Sequence, residues 1–249
     1  MKRTWLRYTV CCAMLAGLLI AGGAGASGLQ VAPTTLSLKA SQNADGLWLL
    51  NTGDNMVHAQ VRVYHWTQND QGDQLVASRG LVISPPMLQL AAGDRQLIRV
   101  IRTGAPPHGA DAVEDAYRLA IDELPVNTGG KQGLQFVLHY SVPIFIEPIG
   151  GAMAPPKLQW DLQRQGEQVM LRVSNHGGSH AQLAALSYID TNGHRTDINP
   201  GLLGYVLPGA TMQWMLKPPA AVFSAGGILE AMINGEKAAQ DLSLADRSR

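Results

Sequence analysis

The sequence predicts an all-β protein built as two β-sandwiches in tandem. Three observations carry that prediction. Strand-like alternation recurs about every ten residues with glycine and proline punctuation, and helical periodicity is poor throughout. A Gly/Ala/Pro-rich stretch, IGGAMAPPK at 149–157, divides the strands into two series.

The first series holds seven predicted strands. LQVAPTTLSL (29–38) opens a sheet, with Pro33 marking an edge or a switch between sheets. GLWLLNTGDN (46–55) reads as a strand ending in a glycine turn. MVHAQVRVYHW (56–66) places Val57, Ala59, Val61 and Val63 on one face and Gln60, Arg62 and Tyr64 on the other. QLVASRGLVISPP (74–86) reads as one strand stopped at Pro85-Pro86, and RQLIRVIR (95–102) resumes after Gly93-Asp94. AYRLAIDELP (116–125) alternates, with Tyr117, Leu119 and Ile121 on one face. After the loop VNTGGKQG comes GLQFVLHYSVPIFIEP (133–148), whose Leu134, Phe136, Leu138 and Tyr140 share a face. Pro143 marks this strand as an edge, and so apolar an edge is a hazard unless another chain pairs with it.

The second series runs through KLQWDLQRQ (157–165), QVMLRVSN (168–175), AQLAALSYID (181–190), LLGYVLPG (202–209), TMQWMLKPP (211–219) and ILEAMING (228–235). Beyond Glu236 the chain turns polar and reads as a loose end. The expected organisation is a first domain at 27–148, a linker at 149–157, a second domain at 158–240 and a polar tail at 241–249.

The first 26 residues have a basic start (Lys2, Arg3, Arg7), an apolar run to Ile20 and the small-residue pattern Ala24-Gly25-Ala26. They read as a cleaved signal peptide, so the protein is expected to be exported. Both cysteines, Cys11 and Cys12, fall in this segment. The mature chain then has no disulfide, no thiol nucleophile and no cysteine-bound metal, and must be held by its core. Removing three basic residues leaves 16 basic against 19 acidic side chains, a net charge of −3. That balance offers no basis for nucleic-acid binding.

Candidate chemistry is sparse. His176 and His180 in NHGGSH have a metal-like spacing, but glycines between them and strands around them favour a solvated turn. Asp111, Glu114, Asp115, Asp122 and Glu123 read as a charged loop and a polar strand end rather than an acid–base pair. The methionines are dispersed as core filler. No nucleotide, hydrolase or metalloprotease motif is present, so neither cofactor nor ATP is expected. Arg99, Arg102 and Arg118 lie within predicted strands. If the last hairpin is symmetric about Gly129, Arg118 lies opposite Tyr140, on the face of Leu134, Phe136 and Leu138. A guanidinium there can grip a carboxylate from a chain laid along the edge.

SPPMLQLAAGDRQLIRV (84–100), AYRLAIDELP (116–125), LQFVLHYSVPIFIEP (134–148) and YVLPGATMQW (205–214) together resemble the periplasmic chaperones of the chaperone–usher pathway, the PapD-like proteins that assemble pili. The resemblance implies two tandem immunoglobulin-like β-sandwich domains in a boomerang arrangement. It also implies donor-strand complementation, in which the chaperone lends a strand to a pilus subunit whose own immunoglobulin-like fold is incomplete. Leu134, Phe136 and Leu138 match the donor residues, and Tyr140 continues the row. The implied partners are pilus subunits and an outer-membrane usher, and the implied location is the periplasm. An open donor strand also invites self-association of the free form. The best-known members anchor the subunit carboxylate with an arginine in the first strand and a lysine in the donor strand. Thr35 and Pro143 stand in those places here. This departure suggests a divergent branch, such as the alternative or archaic systems, with Arg118 as the anchor and Arg99 and Arg102 as lesser candidates. The other readings are a secreted or periplasmic two-domain structural or adhesive module and, behind it, a periplasmic enzyme or metal carrier.

Overall fold

The computed structural model describes residues 28–125, 137–150, 154–242 and 244–245. The predicted signal peptide, Leu134, Phe136 and the loop at 126–133 lie outside the described residues. The first sandwich contains β1 (Leu29–Ala32), β2 (Leu36–Leu38), β3 (Ala44–Asn51), β4 (Val57–Asn69), β5 (Gly72–Ala77), β6 (Leu81–Ser84), β7 (Met87–Leu90), β8 (Arg95–Arg102), β9 (Asp115–Leu124) and β10 (His139–Ile146). One sheet has the order β1-β3-β8-β6; the other runs β2-β10-β9-β4-β5, with β7 added beside β4. Their inner faces meet over Leu38, Leu47, Leu49, Ala59, Ile98, Val100, Leu119, Ile121 and Ile144, all fully buried. Alternation drives this arrangement, since every second residue of β4 and β9 turns apolar surface inward.

The chain at Pro33 switches sheets: β1 pairs with β3, and β2, four residues on, runs parallel to β10. The stretch 74–86, expected as one strand, is two. β5 pairs with β4 in one sheet, and β6 pairs with β8 in the other. Ser78, Arg79 and Gly80 make the crossing, and a side chain at Gly80 would run into the Tyr117 hydroxyl.

The second sandwich contains β11 (Leu158–Gln165), β12 (Gln168–Asn175), β13 (Ala181–Asp190), β14 (Arg195–Val206), β15 (Thr211–Leu216), β16 (Gly227–Ile233), β17 (Glu236–Leu242) and β18 (Leu244–Ala245). Its sheets are ordered β15-β12-β11-β18 and β14-β13-β16-β17. The supposed loose end is thus built into the domain. β17 pairs with β16 along its whole length, and β18 runs parallel to β11. Asn234 and Gly235 both have positive φ, the geometry of a tight hairpin turn, so an Asn-Gly pair after ILEAMI forces the chain back on itself. β14 begins at Arg195, seven residues before the strand that the sequence predicts at 202–209.

Each domain turns a corner on a buried asparagine. The Asn51 amide donates to the carbonyls of Asn55 (2.7 Å) and Leu90 (3.0 Å), and the Asn175 amide donates to those of Ser179 (2.8 Å) and Val206 (3.0 Å). Both side-chain oxygens accept from a glycine two residues on, Gly53 and Gly177. These asparagines satisfy backbone groups that would otherwise be buried unpaired at the strand ends.

Candidate functional site

The predicted edge strand is β10. It pairs with β9 along its whole length, but β2 covers its other side only from Ile144 to Ile146. From His139 to Pro143 that second edge has no strand neighbour among the described residues. The direction of its backbone follows from two hydrogen bonds. Glu123 N–H donates to the Leu138 carbonyl, so even-numbered residues here turn their backbone groups toward β9. Glu147 N–H donates to the Leu38 carbonyl, so odd-numbered ones turn outward. His139 and Ser141 therefore present N–H and C=O to the open edge, and Pro143 has no N–H to leave unpaired there.

The register differs from the symmetric one. Tyr140 faces Ile121, and Arg118 faces Pro143, an offset of three residues from the expectation. Burial decides this: Val142 and Ile144 must point into the core beside Leu119 and Tyr117. An odd offset reverses faces. Leu138 and Tyr140 thus share the inward face and pack against the domain's own core, and the Tyr140 hydroxyl donates to the Leu29 carbonyl. Arg118 lies instead on the outer face with His139, Ser141, Pro143 and Phe145.

That face looks onto the second domain. Trp66 from β4, Ala116 from β9 and Phe145 from β10 pack with Tyr205 and Leu207 in a small apolar cluster. The Arg118 guanidinium lies 3.6 Å from the Trp66 ring centre and 4.9 Å from that of Tyr205. Burial lowers its pKa from the ordinary value, and the charge of Asp73 partly offsets this; an arginine stays cationic regardless. Among the described residues no carboxylate lies within ion-pairing distance of it, and its N–H groups have no acceptor. Thr35 is exposed in the bend before β2, and continuing the parallel register places it beside Pro143. Thr35, Pro143 and Arg118 therefore form one row across β2, β10 and β9. Arg99 and Arg102 are not part of this site. Both belong to β8 in the opposite sheet, where Arg99 is exposed and Arg102 donates to Ala40 and Asn43.

Two expected surface features are interdomain joints. His180 was expected in a solvated turn, yet its ring stacks on Phe145 with centroids 3.5 Å apart and 3° between planes. Its Nδ1 lies 2.6 Å from Glu114 Oε1, to which its backbone N–H also donates. Glu114 is only 5% exposed, so it is a buried latch rather than a loop charge. Gln68 makes a second joint, donating to the Tyr205 carbonyl (2.9 Å) and accepting from Leu207 N–H (2.8 Å).

At the mouth of the open edge, Asp122 accepts from Arg62 (2.6 Å) and meets His139 Nδ1 at 2.6 Å. Burial works against its ionisation, but the hydrogen bonds from Arg62 and His139 outweigh it and hold the carboxyl below the usual range. A depressed native pKa stabilises the fold above the unfolded value and loses that contribution as pH falls through the native one. Asp122→Asn is therefore expected to flatten the acid limb of stability against pH. Urea midpoints of both proteins from neutral to acidic pH check this; parallel curves would exclude it.

The profile of the pili and flagellar-assembly chaperone family, PapD N-terminal domain, matches residues 28–152. The chain belongs to the PapD-like pilus-assembly chaperones. No curated protein matches it. Among solved structures, this PapD-like chaperone is similar to the one described as the CsuC–CsuE chaperone–tip adhesion subunit pre-assembly complex from archaic chaperone-usher Csu pili of Acinetobacter baumannii. The TM-score is 0.67 at 24% identity, over 88% of this chain and all of that one. It also resembles the complex of Salmonella enterica SafA pilin with the SafB chaperone (TM-score 0.60, 18% identity, 87% and 97% coverage). A third likeness is the CupB2 chaperone of Pseudomonas aeruginosa (TM-score 0.55, 18% identity, 86% and 100% coverage). At such identities the likeness is one of fold: two tandem immunoglobulin-like sandwiches.

Proposed function

We propose that this PapD-like chaperone captures pilus subunits by donor-strand complementation along the open edge of β10 and its preceding segment. The free edge from His139 to Pro143 carries this reading, because an unpaired, in-register row of backbone donors and acceptors is what an incomplete sandwich needs. Leu134 and Phe136 would fill the subunit's groove, each contributing about 1.5–3 kcal/mol before ordering costs, and Leu138, half-buried against its own domain, would add only its remaining exposed surface. Arg118 would bind the subunit's terminal carboxylate, since it lies directly across from Pro143, in the row where better-known members hold their charged anchors. Tyr140 is engaged in its own domain and would act as the base of the donated strand rather than as a further plug.

This reading is non-catalytic. The subunit leaves by strand exchange at an outer-membrane usher, without nucleotide. It places the mature chain, residues 27–249, in the periplasm, with a first domain at 27–148 and a second that begins at 158 and extends at least to 245. Thr35 and Pro143 support assignment to a divergent, alternative or archaic branch. The test is periplasmic coexpression with pilin-like subunits encoded beside the chain. Wild type should copurify with the subunit and protect it, while folded Phe136→Glu and Leu138→Glu should not. Equal behaviour of all three would favour a structural module whose edge has no client.

A further inference from the structure

The proposed anchor site is shared between domains, although the donor strand and all three candidate arginines belong to the first. Of the rings that meet the Arg118 guanidinium, Trp66 belongs to β4 and Tyr205 to β14. Tyr205 is only 7% exposed and its position is fixed from three directions. Gln182 donates to its hydroxyl at 2.8 Å, Gln68 of the first domain donates to its carbonyl, and the Trp66 ring meets it edge-on at 5.4 Å. The second domain thus holds a ring against the anchor arginine, and the first domain clamps the backbone carrying that ring.

A guanidinium has two kinds of surface. Its flat faces stack on aromatic rings, and its edge carries five N–H donors that match a carboxylate in pairs. The Trp66 and Tyr205 planes stand 81° apart, so the guanidinium can lie flat on only one of them and turns an edge to the other; the N–H donors that face neither ring have no acceptor among the described residues. A free arginine would spread over many rotamers, and ordering it on binding would cost affinity. We propose that Tyr205 is a positioning residue of the second domain. It holds Arg118 by cation–π contact so that the N–H edge is ready for one ligand class, the free main-chain carboxylate at a subunit's C-terminus. This inference rests on Arg118 being the anchor.

The test uses the full-length mature protein and a synthetic peptide copying the last strand of a neighbouring pilin-like subunit, made once with a free C-terminal carboxylate and once as the amide. The readout is the ratio of the two affinities, which a general loss of fold does not change selectively. Wild type should prefer the carboxylate. Tyr205→Phe keeps the ring and should keep the preference. Tyr205→Leu should reduce it about five- to twentyfold. If Tyr205→Leu folds poorly, Gln68→Leu, which removes both hydrogen bonds to the Tyr205–Leu207 backbone, should reduce the preference in the same direction.

Arg118→Ala separates the two claims. If it abolishes the preference while Tyr205→Leu, or Gln68→Leu in its place, leaves it at the wild-type value, the positioning role is overturned and the anchor stands. If Arg118→Ala itself retains the preference, the anchor falls and the role of Tyr205 falls with it.

Discussion

Arg118→Ala is expected to cost roughly 30- to 5,000-fold in affinity for a subunit with its native C-terminus. Truncating one partner of a desolvated charge pair typically costs about 2–5 kcal/mol. Arg118 fits that case because Trp66 and Tyr205 partly bury it, and among the described residues it has no ion-pair partner, only the more distant charge of Asp73. Arg118→Lys should recover only part of the loss, since an ammonium cannot offer paired donors while stacked on indole. Arg99→Ala, on the opposite sheet, should change affinity by less than about threefold. Titration of the three variants against one subunit, or against its last-strand peptide, checks the order. If Arg99→Ala or Arg102→Ala abolished capture and Arg118→Ala did not, the anchor assignment would be wrong.

Glu114→Ala is expected to produce the largest loss of stability, roughly 2–4 kcal/mol. The carboxylate is buried and one oxygen serves both the backbone N–H and the ring of His180, so truncation leaves two donors of the second domain unpaired. The stacked Phe145–His180 pair lies beside the same joint and should loosen with it. Glu114→Gln keeps a carbonyl acceptor and should lose about half as much. A cycle with His180→Ala should show coupling above about 0.5 kcal/mol, because the two residues share one hydrogen-bonded unit. Calorimetry of the four proteins measures it. Additive losses would mean that the latch does not join the domains energetically.

The sandwich class was legible because it depends on period-two burial, which Val57, Ala59, Val61 and Val63 state openly. The open edge was legible too, through Pro143. What escaped were features whose cause is not local. β17 reads as polar because both its sides are largely exposed, and only the Asn234-Gly235 turn announced it. The β9–β10 register escaped because loop symmetry carries no energy, whereas burying Val142 and Ile144 does. Glu114 and His180 read as loop residues, and Gln68 and Tyr205 carry no signal of their own, because each acts on a partner at least 66 positions away. No window of sequence contains both halves of such a contact. One signal was available: NHGGSH repeats the Asn-x-Gly corner of NTG at 51–53, marking a structured turn rather than a solvated one.

The central claim is that the free edge of β10 is where a subunit pairs. Amide hydrogen exchange at His139 and Ser141, followed in the free chaperone and in its complex with a subunit, tests it most directly. Both N–H groups should exchange quickly in the free protein and become strongly protected in the complex, while the amides of Tyr140 and Val142, turned toward β9, change little. Unchanged exchange at His139 and Ser141 in a saturated complex would contradict the account.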